Sequence, residues 1–447
     1  MTRTALEALA QGSAAIAGAP MSPEVMHHAK RAVVDWTAAL LPGAVAAPAQ
    51  ALERALLDDL DRGRACLAFG RLSTARVAAL VNGTAAHTVE VDDIYREAIY
   101  HPGAPTIAAA LAAAQDGACD GQAFLRGVIV GYEVGTRIGA VLGRAHYRYW
   151  HNTGTVGTFG AAAAAGTLAS LPAPWLAHAL ATAATFAAGL QQAFRMDSMS
   201  KPLHAGRAAE GGLLAAQLAA QGVTGSLDVL DGAAGLGRAM ADSPDWSEVA
   251  ATLGRDFHIT RMTFKNHACC GHTFAAIDGA LEVKRRLQVS PDDIARIHVA
   301  TYAPALEVAG NPDPNTPAEA RFSLPYVVSS ALVHGSVRLA AATPQRIHDA
   351  ATRALMDRLE LTVDPELDAA FPGQRAARVT LTTRDGRVES FLQPTRKGDP
   401  EMPLSDADLD EKFLELAVPV IGEAKARACL QRLWTLDRLP EVRSLLA

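Results

Sequence analysis

Apolar residues recur at helical spacing through the first half of the chain. Ser22, Pro23 and Glu24 read as an N-cap followed by proline at the first helical position, and the apolar spacing runs to Leu41, where Pro42 and Gly43 predict a stop. The same period predicts helices over residues 49–60, 73–89, 104–114, 122–142, 156–168, 175–193 and 208–220. No alternating run of useful length comes before about residue 249, so the first half is expected to be all helical. Near Met262 the period changes. Residues 294–302 alternate apolar with polar after a turn at Ser290, Pro291 and Asp292, and 358–363 and 378–383 read the same way. Asp385 and Gly386, between 379–383 and 387–391, predict a tight hairpin because that dipeptide tolerates positive φ. With helical patterns at 274–287 and 324–334, this block is expected to be α+β. A charged loop after Pro394 leads to Ser405, an expected cap, and then to three short helices. Periodicity leaves open whether those helices pack with the α+β block or return to the first domain.

Composition sharpens this picture. Of the 447 residues, 49% are hydrophobic but only 5% aromatic, so alanine and other small aliphatics supply much of the apolar surface. That favours helices packed closely together. Length alone suggests about three domains, and two larger ones also fit. A net charge of −6 and a pI near 6.2 argue against nucleic acid as a partner. An anionic substrate would need a local cluster of cations instead. Five unevenly spaced cysteines, Cys66, Cys119, Cys269, Cys270 and Cys429, suit a reducing cytoplasm better than a disulfide framework. Glu7 and Gln11 interrupt the N-terminal apolar stretch, which reads as an amphipathic helix rather than a signal peptide. Residues 149–194 carry no Asp, Glu, Lys or Arg, long enough for a membrane span. Their Gly, Ala and Thr content, His151 and His178, and the break at 171–174 predict two buried helices of a helical domain instead.

The usual cofactor signatures are missing: GxGxxG after a strand, GxxxxGK[ST], HExxH and GxSxG. Gly154, Gly157 and Gly160 at i, i+3 spacing predict close helix approach rather than a phosphate loop. Four segments stand out. In residues 82–102, Glu90, Asp92 and Asp93 precede His101, and carboxylates near a histidine set its tautomer and raise its pKa for acid/base work. A solvated acidic helix end is the bland alternative. His151 stands before the uncharged helix, whose N-terminus would favour a carboxylate. Lys201, His204 and Arg207, in the segment 197–207, would supply the local cations that the overall charge lacks. Finally, His267, Cys269, Cys270 and His272 suggest zinc or a Cys–His nucleophile. Adjacent cysteines are awkward for one tetrahedral site and no distant pair completes it, so no metal is expected. A boundary loop that brings Lys265 over a cleft is the preferred reading.

Several stretches in order, among them VNGTAAHTVEVDD, HNTGTVGTFGAAAAAGTLASL, SKPLHAGRAAEGG, KNHACCGHTFAAIDGALE and KGDPEMPLSDADLDEKF, together resemble the MmgE/PrpD family. The resemblance implies a mainly α protein: a large all-helical domain of residues 1–261 with 395–447 returning to it, and a smaller α+β lid domain of 262–394. It implies a homodimer with no metal or organic cofactor; the absence of a membrane partner and the cytoplasmic setting are expected from composition and cysteine usage. The family's catalytic aspartate and histidine fall on Asp93 and His101, its second histidine on His151, its cleft lysine on Lys201, its lid lysine on Lys265 and its lid tyrosine on Tyr326. His101 is then the principal acid/base, oriented by Asp93, while Lys201, Lys265, His204 and Arg207 hold carboxylates. The implied function is a dehydratase-type lyase for a small di- or tricarboxylate, with isomerase, epimerase or decarboxylase as alternatives at the same site. Three positions depart from the usual pattern: Ile94 replaces a common threonine, Glu90 replaces an aspartate, and Asn152, in HNTGT, replaces a frequent proline.

Overall fold

The computed structural model describes residues 3–194, 198–242, 244–371 and 373–446. Helix α1 (Ala5–Gly18) opens with a capping box between Thr4 and Glu7. Helix α2 (Pro23–Ala44) starts where Ser22 caps the Val25 amide, but it runs through Pro42 instead of stopping there. In the last turn the missing proline N–H removes one bond and leaves the helix above it intact. Then come α3 (Ala47–Ala55), strands β1 (Leu60–Cys66) and β2 (Leu72–Ser73), α4 (Ala75–Ala86), α5 (Gly103–Asp116), α6 (Gly121–Tyr147), α7 (Asn152–Leu168), α8 (Ala173–Phe186), α9 (Ser200–Ala220) and α10 (Leu236–Met240). The β1–β2 pair corrects the expectation of an all-helical first half. Its strand LDRGRAC is buried only at its two ends, around an exposed polar middle, so it carries no alternation to detect. Helix α8 ends at Phe186, earlier than expected, and α9 begins at Ser200, earlier than expected.

Helix α7 lies at the centre and packs on α5, α6, α8 and α9. Its small residues are what allow this. A Cβ on Gly157 would come within 2.6 Å of the Pro105 ring, and one on Gly212 of α9 within 2.5 Å of the Thr158 carbonyl. Among the described residues no single helix is long and apolar enough to cross a membrane.

The second half begins with α11 (Phe274–Leu287) and β3 (Ile294–Thr301), followed by short helices α12 (Ala303–Ala309) and α13 (Pro317–Arg321), α14 (Leu324–His334), α15 (Pro344–Ile347) and α16 (Ala350–Met356). Strand β4 (Leu359–Val363), α17 (Pro365–Ala370), β5 (Ala377–Thr383) and β6 (Val388–Gln393) complete a four-stranded sheet of order β4-β3-β5-β6. β3 pairs parallel with β4 and antiparallel with β5, and β5 forms the hairpin with β6. Gly386 takes φ of +89° in its turn. The buried face of β5 (Ala377, Val379, Leu381) lies under α11.

Ser405 then opens α18 (Asp406–Ile421) with a capping box to Asp408, and α19 (Glu423–Trp434) follows. The third expected helix is only a 3-10 turn, Leu436–Arg438. α18 packs against α2 and α19. The chain accordingly divides into two compact units, Met1–Thr263 with Ser405–Ala447, and Phe264–Leu404. The loop 395–404, read as the start of the returning segment, lies with the second unit instead. Backbone pairing of Phe264 with Gly398 within that unit holds it there.

Candidate active site

The site grows from the loop between α4 and α5. Helix α4 ends with His87 as its C-cap, and Pro102 is the N-cap of α5. Between them the chain is pinned by two isolated bridges: Ile94 with Thr263, and Tyr95 with Tyr100. Glu90 takes φ of +62°, a left-handed conformation that costs a non-glycine residue about 1–2 kcal/mol. The kink sends the next two carboxylates to different partners. Asp92 Oδ2 accepts from His87 Nδ1 at 2.7 Å and faces His101 Nδ1 at 3.3 Å. Asp93 accepts from the Tyr132 hydroxyl at 2.7 Å and the Gly103 amide at 3.0 Å.

Asp92, not Asp93, therefore orients His101, which corrects the sequence assignment. The two adjacent aspartates thus have separate partners, Asp92 the histidines and Asp93 Tyr132 with the Gly103 amide. Their ionisation follows. Burial resists charge on Asp92, yet His87 and His101 hold it well below the usual carboxylate range. Burial, with Asp35 and Asp92 nearby, pushes Asp93 up to about 8. Asp93 thus keeps its proton at neutral pH and ties the loop to α5 and α6.

Four imidazoles gather around Asp92. The His87 ring meets His101 edge-on at 4.9 Å and stacks on His151 at 5.3 Å. His151, the N-cap of α7, is 3.0 Å from His204 between their Nδ1 atoms. Burial, aided by His87 and Lys201, lowers the pKa of both His151 and His204, keeping them neutral and able to accept a proton. Phe194 closes edge-on over His151 at 4.8 Å, and the Lys201 ammonium lies 5.1 Å from the Phe194 ring. Lys201 is also paired with Glu90.

His87 is the residue that the sequence reading missed. It is fully buried, and its Nε2 has no hydrogen-bond partner among the described residues. Its signal was faint: a lone histidine in an alanine-rich helix, five residues before an aspartate. His87, Asp92 and His101 place their ligand atoms within 4.8 Å of one another, a donor set of the type that can also hold a divalent cation.

Not every expected residue joins this group. Arg207 lies on α9 with Lys201 and His204, but its exposed side chain pairs with Glu210. At about 100° per residue, position 207 is turned roughly 120° from position 201, though only about 60° from His204. Asp197, which opened that segment, lies outside the described residues. In the second unit Lys265 is buried, and Tyr326 is buried with its hydroxyl donating to the Ala341 carbonyl. That bond gives Tyr326 a place in the unit's own core rather than a free phenol. The zinc-like segment is engaged too. His267 bonds Asp278 at 2.9 Å, Cys269 bonds Thr273 at 3.1 Å, and His272 bonds the Tyr302 hydroxyl at 2.9 Å. Burial raises the Cys270 thiol and pushes His272 down to about 4, the opposite of an activated thiolate–imidazolium pair. A cavity of about 600 Å³ elsewhere, between α1 and the segment from Trp246 to Ala251, shares no residue with the histidine cluster.

The human cis-aconitate decarboxylase is 30% identical over 346 residues, covering 75% of this chain and 71% of that protein. The mouse cis-aconitate decarboxylase is 30% identical over 354 residues, covering 75% and 70%. The cis-aconitate decarboxylase-like protein oryM of Aspergillus oryzae is 28% identical over 457 residues, covering 95% and 92%. Residues 7–249 match the MmgE/PrpD N-terminal domain and residues 267–436 the MmgE/PrpD C-terminal domain. The chain is an enzyme that belongs to the MmgE/PrpD family.

Proposed function

We propose that this enzyme is a cofactor-independent lyase for a small tricarboxylate-class substrate, working by proton transfer at a carbon next to a carboxylate. The observation that carries this reading is the single carboxylate, Asp92, shared by His87 and His101 with His151 stacked alongside. An Nδ1–H held on a carboxylate leaves Nε2 as the base and lets the ring accept a full positive charge. His101 is the principal acid/base, and His151 with His204 forms a second proton-carrying pair. Lys201 releases Glu90 to hold a substrate carboxylate and stabilise the developing enolate. Lys265 is proposed as a second carboxylate holder on family resemblance alone.

Two leaving groups suit this machinery. In decarboxylation the bond to a carboxyl carbon breaks, its electron pair stays on the substrate carbon as an enolate, CO₂ departs, and an imidazolium returns the proton. In dehydration a base removes the proton and an acid protonates the departing hydroxyl. The relatives' names make cis-aconitate the first acid to test, with citrate-like and succinate-like acids beside it. CO₂ release or water loss from one of them supports the proposal. An inert panel overturns it. A second reading, epimerisation, is favoured by His101 and His151 packing against the same His87. Solvent deuterium entering the acidic carbon without net elimination would select it. Elemental analysis of purified protein checks the cofactor-free claim, which stoichiometric metal would overturn. Light scattering checks the proposed homodimer.

A further inference from the structure

Behind the catalytic loop lies a charge pair that the acid/base chemistry does not use. Lys412, on α18, is buried, and its ammonium donates to Asp35 of α2 at 2.5 Å and to the Val91 carbonyl at 2.7 Å. Both side chains are only 1% exposed. The Val91 carbonyl belongs to the same peptide unit as the Asp92 amide. Any rotation of that peptide plane therefore moves the Asp92 carboxylate against His87 and His101. On the other side of Val91 sits Glu90, in its left-handed conformation. A strained residue persists only where its surroundings over-determine it. Lys412 on Val91, and Lys201 on Glu90 until substrate claims it, supply that constraint.

Stability alone does not account for the pair. Two charges buried in an apolar core are often matched or bettered in stability by hydrophobic residues of similar size. What such residues cannot provide is a donor to the Val91 carbonyl.

We propose that Lys412 is a positioning residue of the active site, fixing the Val91–Asp92 peptide and through it the alignment of Asp92 with His101. This rests on the reading of the histidine cluster as the acid/base centre.

The test uses K412M, and the double variant K412M/D35N, which removes both charges of the pair. K412M alone is expected to lower Tm sharply, and K412M/D35N to recover most of that loss. The double variant should nevertheless keep KM for cis-aconitate, or for whichever acid the panel identifies, while kcat falls on the order of 10- to 100-fold. Proton NMR of the histidine Cε1–H resonances, followed through pH, supplies a readout free of turnover: the His87 and His101 resonances should move in the double variant. Shifted resonances with unchanged kcat would uphold the positioning and sink the acid/base reading instead. Unchanged resonances, with or without a loss of kcat, would overturn the role given to Lys412.

Discussion

Two clusters in this chain look chemical on paper, one around Asp92 in the helical unit and one around Cys269, Cys270 and His272 in the other. The second has more of the residue types associated with catalysis and metals. Yet three of its side chains are tied into local structural bonds, His267 to Asp278, Cys269 to Thr273 and His272 to Tyr302, and Asp278 and Thr273 also bond the neighbouring backbone. Around Asp92 the partners are shared: one carboxylate oxygen serves two imidazoles, and a third ring stacks on one of them. Proton transfer needs groups whose bonding can be redistributed, and a satisfied structural pair offers no such freedom. Residue type nominates a site, but sharing distinguishes it.

The sharpest way to break this contrast is a pair of substitutions. H101Q is expected to lower kcat on the order of 10²- to 10⁴-fold. H272Q should leave kcat near the wild-type value, and equal losses in the two variants would erase the distinction. Next in size, K201A should raise KM by roughly 10- to 100-fold, the worth of a charged hydrogen bond, with a smaller change in kcat. Steady-state kinetics on the substrate from the panel reads both. The third test concerns Asp93. Its pKa of about 8 in the folded protein exceeds an unfolded value of about 3.9. The folded state therefore holds the proton more tightly, so this contribution to stability is complete below about pH 4 and disappears as pH rises through about 8. D93N lacks it, so the wild type should lose Tm relative to D93N across that window, and parallel Tm curves would refute the assignment. Smallest is Y326F, which removes the bond to Ala341 and should cost about 1 kcal/mol in urea unfolding of the second unit.

Much of the architecture could be read from the pattern of residues. The bounds of α11 and α14, the alternating β3, β4 and β5, and the turn at Gly386 follow from periods that one face of each element must satisfy. The β1–β2 hairpin could not be read, because a strand whose middle is exposed and polar has no period to show. Candidate site residues were legible as segments, less so as roles. His101, His151, Lys201 and His204 lie in one group of contacts, but the choice between Asp92 and Asp93 depends on the kink at Glu90. No local pattern signals that a glutamate will take positive φ. His87 was hidden for the opposite reason, since a histidine at a helix end within an alanine-rich stretch looks like ordinary core.

The return of α18 to α2 also sets an order of events during synthesis. Asp35 and Lys412 are separated by 377 residues, so at about 5–20 residues per second the lysine reaches the ribosome roughly 20 to 75 s after its partner. Until then Asp35 and the Val91 carbonyl lack the Lys412 ammonium, and the loop that carries Asp92 lacks that anchor. The intervening unit, with its own sheet and core, has its full sequence before that contact can form. A nascent chain halted before α18 would therefore hold every histidine of the cluster and still lack the contact that aligns them.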